Sequence, residues 1–189
     1  MKTAVIPVAL IVPFSAANAE EPHVQPMKEF LSEQVMPWLS DPAVVNAIKA
    51  QNEKHAGLSE AEIDTLDKQW RAEVDQSARP LIESVLGNSL SSFLSEKKNS
   101  AQGAITEMFV MDNKGLNVGQ SDVTSDYWQG DEGKWKKTYL VGPDAVFVDE
   151  IEEDESTQTL QSQASVAIKD PATGEVIGAI TVAVDVDTL

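Results

Sequence analysis

Between residues 26 and 100 the apolar side chains return every three or four positions, the spacing of one face of an α-helix. "PMKEFLSEQVMPWL" sets Phe30, Leu31, Val35 and Leu39 on such a stripe, Pro37 and Asp41-Pro42 break or kink the run, and "PAVVNAIKAQN" restarts it. "LSEAEIDTLDKQWRAEV" opens with the capping-box pair Ser59 and Glu62 and carries Ile63, Leu66, Trp70 and Val74 on one side. "RPLIESVLGNSLSSFLSEKK" has Pro80 where a first helical turn accepts it, then Leu81, Val85, Leu86, Leu90, Phe93 and Leu94 on an apolar face. The first half is therefore expected to be several amphipathic helices.

At Ile105 the period changes. "ITEMFVMDNKGLNVG" is an apolar run, a turn at Asp112-Asn113-Lys114-Gly115 and a short second run, which predicts a β-hairpin. "AVFVDEI" predicts a third strand, followed by the acidic turn "EEDES". In "TQTLQSQASVAIKD" the alternation is strict: Leu160, Ser162, Ala164, Val166 and Ile168 face one way, and Thr159, Gln161, Gln163, Ser165 and Ala167 the other. "DPATGE" is a turn, and "VIGAITVAVDV" is apolar on both faces, as a central strand is. Helices, a hairpin, a connecting segment and a three-strand meander predict an α+β fold with one five-stranded antiparallel sheet. Helices cover one face of that sheet, and the connecting segment falls where a lid for the other face belongs.

The chain has 189 residues, enough for one domain or for one domain with a helical extension, and at 42% hydrophobic and 24% charged it has a globular composition. Its start, "MKTAVIPVALIVPFSAANAEEP", holds Lys2, an apolar run from Ala4 to Phe14 and the small residues Ala17-Asn18-Ala19, the layout of a secretory signal peptide cleaved after Ala19. The apolar run is too short, and too interrupted by Pro7 and Pro13, to span a bilayer. The expected organisation is a leader over 1–19, a helical segment over 20–79 and a sheet-bearing domain over 80–189, with 20–189 one folded unit placed in the periplasm or secreted. Loss of Lys2 with the leader takes the net charge from −17 to −18, which repels nucleic acid and anionic membranes, so neither is expected as a partner. The absence of cysteine excludes disulfides, thiolate metal sites and cysteine nucleophiles.

Enzyme chemistry finds little material. His23 and His55 are the only histidines, both in the helical half, so a Ser/His/Asp triad or a histidine-rich metal site is poorly supplied, and no nucleophile elbow, P-loop or dinucleotide fingerprint occurs. His55 is expected to be a solvated helix residue. The run from Asp149 to Glu155 offers clustered carboxylates to a hard cation but lacks calcium-loop spacing and reads as a solvated hairpin turn. No enzymatic activity, cofactor or metal is expected.

The densest chemistry lies in "DYWQGDEGKWKKTY", residues 126 to 139, which holds both tyrosines and two of the four tryptophans beside Lys134, Lys136 and Lys137. Asp131 is a candidate cap for a helix of about two turns, "EGKWKKT", weakened by Gly133. On that helix Trp135 and Tyr139 share a face, with Lys134, Lys137 and Thr138 on a neighbouring one. An aromatic wall beside ammonium groups suits a small carboxylate, which needs an apolar enclosure for its carbon end and a cation and hydroxyl donors for its oxygens. The alternative is that the aromatics plug the sheet and the lysines are solvated.

The connector "VTSDYWQGDEGKW" followed by "VFVDEIEEDESTQTLQSQASVAIKDPATGEVIGAITVAVDVDTL" resembles the Cache (PDC) family, PAS-like extracytoplasmic sensor domains, in its single-Cache form; the likeness covers about residues 80 to 189. The resemblance implies a PAS-like five-stranded antiparallel sheet with long N-terminal helices packed on one face and a ligand-covering connector on the other. It also implies a pocket for a small organic acid or amino acid, with Tyr127, Trp128, Lys134, Trp135 and Tyr139 as its lid and Asp149 and Ser165 on its floor. Such domains usually sit in chemoreceptors, histidine kinases or cyclases ahead of a membrane helix, whereas this sequence stops at Leu189. The expectation is thus a stand-alone periplasmic module that serves signal transduction or chemotaxis through a membrane receptor or kinase partner. Its expected ligand is a small carboxylate such as pyruvate, lactate or acetate; an amino acid stays open, with Asp131 or Asp149 to receive the ammonium group. The competing expectation is a ligand-free interaction protein that docks a membrane partner through its helices, and residues 26 to 79 also offer a surface for a homodimer.

Overall fold

The computed structural model describes residues 21–153 and 159–189; the expected leader and the centre of the acidic turn lie outside them. Helices α1 (Val24–Phe30), α2 (Pro42–Lys54), α3 (Glu60–Val74), α4 (Pro80–Leu86) and α5 (Ser89–Ser100) precede the sheet. α1 runs on through a π-turn at Leu31–Val35 and a tighter turn at Met36–Trp38, where Pro37 lacks the donor that would continue the ladder. Met27, Leu31, Val35 and Leu39 stay buried along this path, while Phe30 is only half-buried. Asp41 caps α2, and the Ser59–Glu62 capping box forms as its spacing predicts. The apolar run from Pro80 divides in two, because Gly87 ends α4 and Asn88 Oδ1 accepts from the Ser91 amide to begin α5. The break lets Ile82 and Val85 pack toward α3 while Leu90 and Leu94 pack on the sheet.

Strands β1 (Ile105–Met111), β2 (Asn117–Gln120), β3 (Val146–Glu153), β4 (Leu160–Lys169) and β5 (Val176–Asp185) form one antiparallel sheet in the order β2-β1-β5-β4-β3. This is an α+β, PAS-like architecture, and the strand apolar on both faces, β5, is its centre. The register puts Met108, Val110, Ala164, Val166, Ile180 and Val182 on the face that α1, α2 and α5 cover. Glu107, Phe109, Met111, Gln163, Ser165, Thr181 and Ala183 fall on the opposite face. One expectation needs correcting: β3, expected to end at Ile151, runs on to Glu153, so Glu152 and Glu153 are strand residues and the carboxylates from Asp149 to Glu153 do not form a turn. An edge strand tolerates these carboxylates because it is paired on one side only, and their charge discourages further strand addition.

The hairpin turn is built on Asp112, a fully buried carboxylate. Its Oδ1 accepts from the amides of Lys114 (2.8 Å) and Leu116 (2.9 Å), and its Oδ2 lies 3.0 Å from both Gln51 Nε2 and His55 Nδ1 of the α2 end. His55 is therefore buried against a carboxylate, not solvated as its sequence position implies. Gly115 turns the chain at φ +83°, where a Cβ would stand 2.6 Å from Gly130 Cα, so the turn also lets the connector pass close by.

Removing the Asp112 carboxylate orphans two turn amides and two side-chain donors at once. Asp112→Ala is expected to lower unfolding free energy by about 3 kcal/mol or more, and Asp112→Asn, which keeps one acceptor, by less. Urea unfolding of the three proteins checks the order; an Asp112→Ala midpoint equal to the parent's contradicts it.

Candidate functional site

The connector between β2 and β3 is pinned first at α3. Asp67 Oδ1 accepts from the amides of Tyr127 (2.9 Å) and Trp128 (3.0 Å), Trp70 Nε1 donates to the Thr124 carbonyl (2.8 Å), and Arg71 bridges Asp67 (2.7 Å) and Asp126 (3.1 Å). It then forms α6 (Gly133–Lys136), a single turn where two were expected. Glu132, not Asp131, occupies its N-cap position, and no side chain caps it; without that bond, and with Gly133 inside, a longer helix is not supported. A helical bond from the Tyr139 amide to the Trp135 carbonyl (2.9 Å) still carries the path onward, and the two rings stack with centroids 4.9 Å apart at 17°.

The expected lid residues fall on two sides of this connector. Lys134, Trp135 and Tyr139 lie over the sheet: the two rings pack on Phe109, Met111 and Ala179, and the Lys134 ammonium stands 5.5 Å from the centroid of Phe109. Tyr127 and Trp128 instead belong to the core made with α3 and α4, Tyr127 stacking on Trp70 at 5.3 Å and 14° and Trp128 Nε1 donating to the Lys114 carbonyl (2.8 Å). Thr138, read as a ligand-facing hydroxyl, donates to the Lys134 carbonyl of its own helix. Of the expected floor residues, Ser165 is fully covered and its hydroxyl meets that of Thr181 at 2.9 Å, whereas Asp149 is exposed at the rim.

That rim opens into a polar cavity of about 170 Å³ lined by Glu132, Lys134, Asp149, Glu152, Gln161 and Gln163. Lys134, its side chain 14% exposed, is the cation of this lining and pairs with Glu132 at 2.9 Å. Deeper on the same face the structure adds residues the sequence reading passed over. Register places Gln120 opposite Phe109 and Glu107 opposite Ala183, so all four side chains share the connector-facing side. Gln120 Nε2, Asn117 Oδ1 and Gln129 Oε1 are buried and without hydrogen-bond partners among the described residues, although Asn117 Nδ2, Thr124 and Asp126 tie the three amides into one cluster. Their sequence signal is weak: "NVGQ" differs little from any short polar strand. Glu107 was more legible, a carboxylate at a regular position of an otherwise apolar strand.

Glu107 is the unusual ionisable group here. Burial, then the charge of Asp122, push its carboxyl up to about 7 from an ordinary 4.5; Lys134 and Lys98 oppose the shift and Asp126 adds to it. This face of the sheet thus carries an ammonium in a polar cavity, a carboxyl with its pKa pushed up to about 7, amide groups with unused hydrogen-bonding capacity and an aromatic stack packed on the strands. It can bind and orient a small polar molecule. Among the described residues no cluster of three or more histidine or carboxylate side chains is arranged to hold a metal.

No protein-family model matches the chain, and no curated protein matches it. Solved structures do. The chain is similar to the sensor domain of the V. cholerae histidine kinase DctB, with 13% identity and a TM-score of 0.48 over 86% of this chain and 50% of that one. It is similar also to the sensory domain of the Campylobacter jejuni chemoreceptor Tlp3 with isoleucine bound (13% identity, TM-score 0.39, 88% of this chain and 64% of that one). A third is the ligand-binding domain of the Pseudomonas aeruginosa PAO1 amino acid chemoreceptor PctC in complex with GABA (14% identity, TM-score 0.38, 83% and 62%). The chain spans half of the kinase sensor domain and under two thirds of each chemoreceptor domain. These are sensor and ligand-binding domains, the class of protein that the sequence resembles.

Because the Glu107 pKa is higher in the folded protein than its ordinary value, the folded state holds the extra proton between pH 4.5 and about 7. The stability contributed by the neutral form is complete below that window and lost as pH rises through it. Glu107→Gln should therefore flatten the decline of melting temperature across the window and stabilise the protein at pH 8 by something on the order of 1 to 3 kcal/mol. Calorimetric scans of parent and variant at each pH test this, and parallel curves for the two proteins contradict it.

Proposed function

We propose that this protein is an extracytoplasmic sensor module, not an enzyme, that binds a small carboxylate between the open sheet face and α6 and passes the signal, for chemotaxis or another transduction pathway, to a membrane receptor or kinase partner. The observation that carries the reading is Lys134: a largely buried ammonium over an aromatic ring, in a polar cavity, paired with one carboxylate at the cavity rim. A ligand carboxylate can take the place of Glu132 on this ammonium, while its carbon end meets Phe109 and the Trp135–Tyr139 stack. Periplasmic placement rests on the leader layout; among the described residues no helix is long and apolar enough to cross a membrane.

The electrostatics favour one refinement, an amino acid over pyruvate, lactate or acetate. Glu132, Asp149, Glu150 and Glu152 line the rim cavity with Lys134 as the one cation of its lining, so a bare anion meets a field of its own sign. An α- or ω-amino group offsets that field and gives Glu107 a partner that favours its ionised form. The reading in which the N-terminal helices chiefly dock a partner draws less support, because the inward faces of α1, α2 and α3 are already spent on the sheet and the connector.

Melting shifts of the purified protein against a panel of amino acids and short-chain monocarboxylates test the proposal. A ligand at 100 times its dissociation constant adds about 2.7 kcal/mol of stability, a shift of several degrees. Amino acids are expected to give the larger shifts, and Lys134→Ala is expected to weaken the best ligand at least about tenfold, the loss of one charge-assisted hydrogen bond. A flat panel sinks the binding reading; hits confined to monocarboxylates sink the refinement; unchanged affinity in Lys134→Ala removes Lys134 from the site.

A further inference from the structure

On the helix-covered side of the molecule, at the β2 edge, a second cavity of about 440 Å³ lies between α2, α3 and α4. Leu66, Leu81 and Val85 give it an apolar wall, and Lys54, His55 and Tyr127 stand among the polar groups of its lining, to which no carboxylate contributes. In a chain of net charge −17 that is a local reversal, since the lining includes the cation Lys54 and the Asp112 carboxylate lies behind the His55 ring.

Two of these groups are built into place with hydrogen-bonding capacity to spare. Tyr127 is 3% exposed and its ring is fixed by stacking on Trp70, yet its hydroxyl has no hydrogen-bond partner among the described residues. Burial and the charge of Asp112 push that hydroxyl's pKa up, so it remains a donor. His55 is 6% exposed; its Nδ1 faces the Asp112 carboxylate at 3.0 Å, which sets the ring, and its Nε2 is unpartnered among the described residues. Lys54 likewise forms no ion pair among them. The leucine and valine wall has no counterpart in the acidic rim cavity of the lid face.

We infer that this cavity is a second ligand site, for an amphipathic monocarboxylate carrying a short aliphatic chain or a single ring. The carboxylate receives hydrogen bonds from the Tyr127 hydroxyl and the Lys54 ammonium. His55, its Nδ1 set against Asp112, adds its ring to the polar part of the lining. The chain or ring lies along Leu66, Leu81 and Val85. Because Tyr127 and His55 are held by Trp70 and Asp112 before any ligand arrives, little ordering opposes binding. The inference does not rest on the lid-face site and uses none of its residues.

Octanoate and benzoate, titrated calorimetrically into the purified protein with the Tyr127 and His55 ring signals followed by NMR, test it. Saturable binding that shifts both rings is expected, and Tyr127→Phe should weaken it about tenfold, as should Lys54→Gln. Neither substitution removes a bond that the protein makes to itself, so both variants should melt like the parent. Lys134→Ala should leave octanoate affinity unchanged, which separates this site from the lid-face one. Weakening in either Tyr127→Phe or Lys54→Gln supports the site. Absent binding, binding that survives both substitutions, or binding lost in Lys134→Ala overturns it.

Discussion

The buried carboxylate of Asp112 is the constraint on which both layers of the molecule depend. One oxygen shapes the hairpin turn and the other holds Gln51 and His55, so the C-terminal end of α2 cannot leave the sheet without exposing an unpaired charge. The backbone at the same residue faces the other way: its carbonyl accepts from Trp135 Nε1 at 3.1 Å, and the neighbouring Asn113 amide bonds Asn52 Oδ1 at 2.9 Å. A single turn therefore fixes a helix on one face of the sheet and the aromatic lid on the other. It also orients two rings, His55 in the helix-side cavity and Trp135 over the sheet.

α3 does for the connector what Asp112 does for the turn. Its charged residues Asp67 and Arg71 grip the connector backbone and Asp126, and Trp70 supplies both a stacking surface for Tyr127 and a donor for Thr124. Glu73, one turn further, accepts from the amides of Leu81 (2.8 Å) and Ile82 (3.1 Å), serving the start of α4, where Arg79 makes no side-chain cap. The helical segment is thus structural support for the connector. A partner or ligand that moves α3 moves Tyr127 and, through Asp126 and Gln129, the polar edge of the lid-face site.

Much of this was legible in the chain. The change from a period near 3.6 to strict alternation at Ile105 gave the α+β order, and the both-sided apolar pattern of β5 gave its central place, because burial on two faces leaves no other composition. Spacing also gave the Trp135–Tyr139 pair, since an i to i+4 relation survives even in a helix of one turn. Long-range pairing was not legible. Nothing local links His55 to Asp112 or Tyr127 to Trp70, each pair 57 positions apart along the chain, so the histidine reads as solvated and the tyrosine as part of the lid. The acidic strand failed for a related reason: whether "DEIEE" is turn or strand depends on its being at the sheet edge, a property of the assembled sheet.

The split of the aromatic segment changes how the charge of the protein is to be understood. Read as one lid, its lysines gather to offset an acidic chain around a single anion. In the folded protein Lys134 sits among carboxylates, Lys137 lies 4.0 Å over the Phe147 ring, and Lys136 bonds the Asp131 carbonyl at the surface, so no basic patch exists there. At physiological ionic strength the screening length is about 8 Å, so distant carboxylates scarcely alter affinity, and the groups within one cavity decide it. By that rule the lid face, with one cation against several acids, suits a ligand bearing both charges, and the helix-side cavity, whose lining has a cation and no carboxylate, suits a lone anion. The overall negative field slows the approach of that anion more than its residence, whereas a zwitterion feels almost none of it.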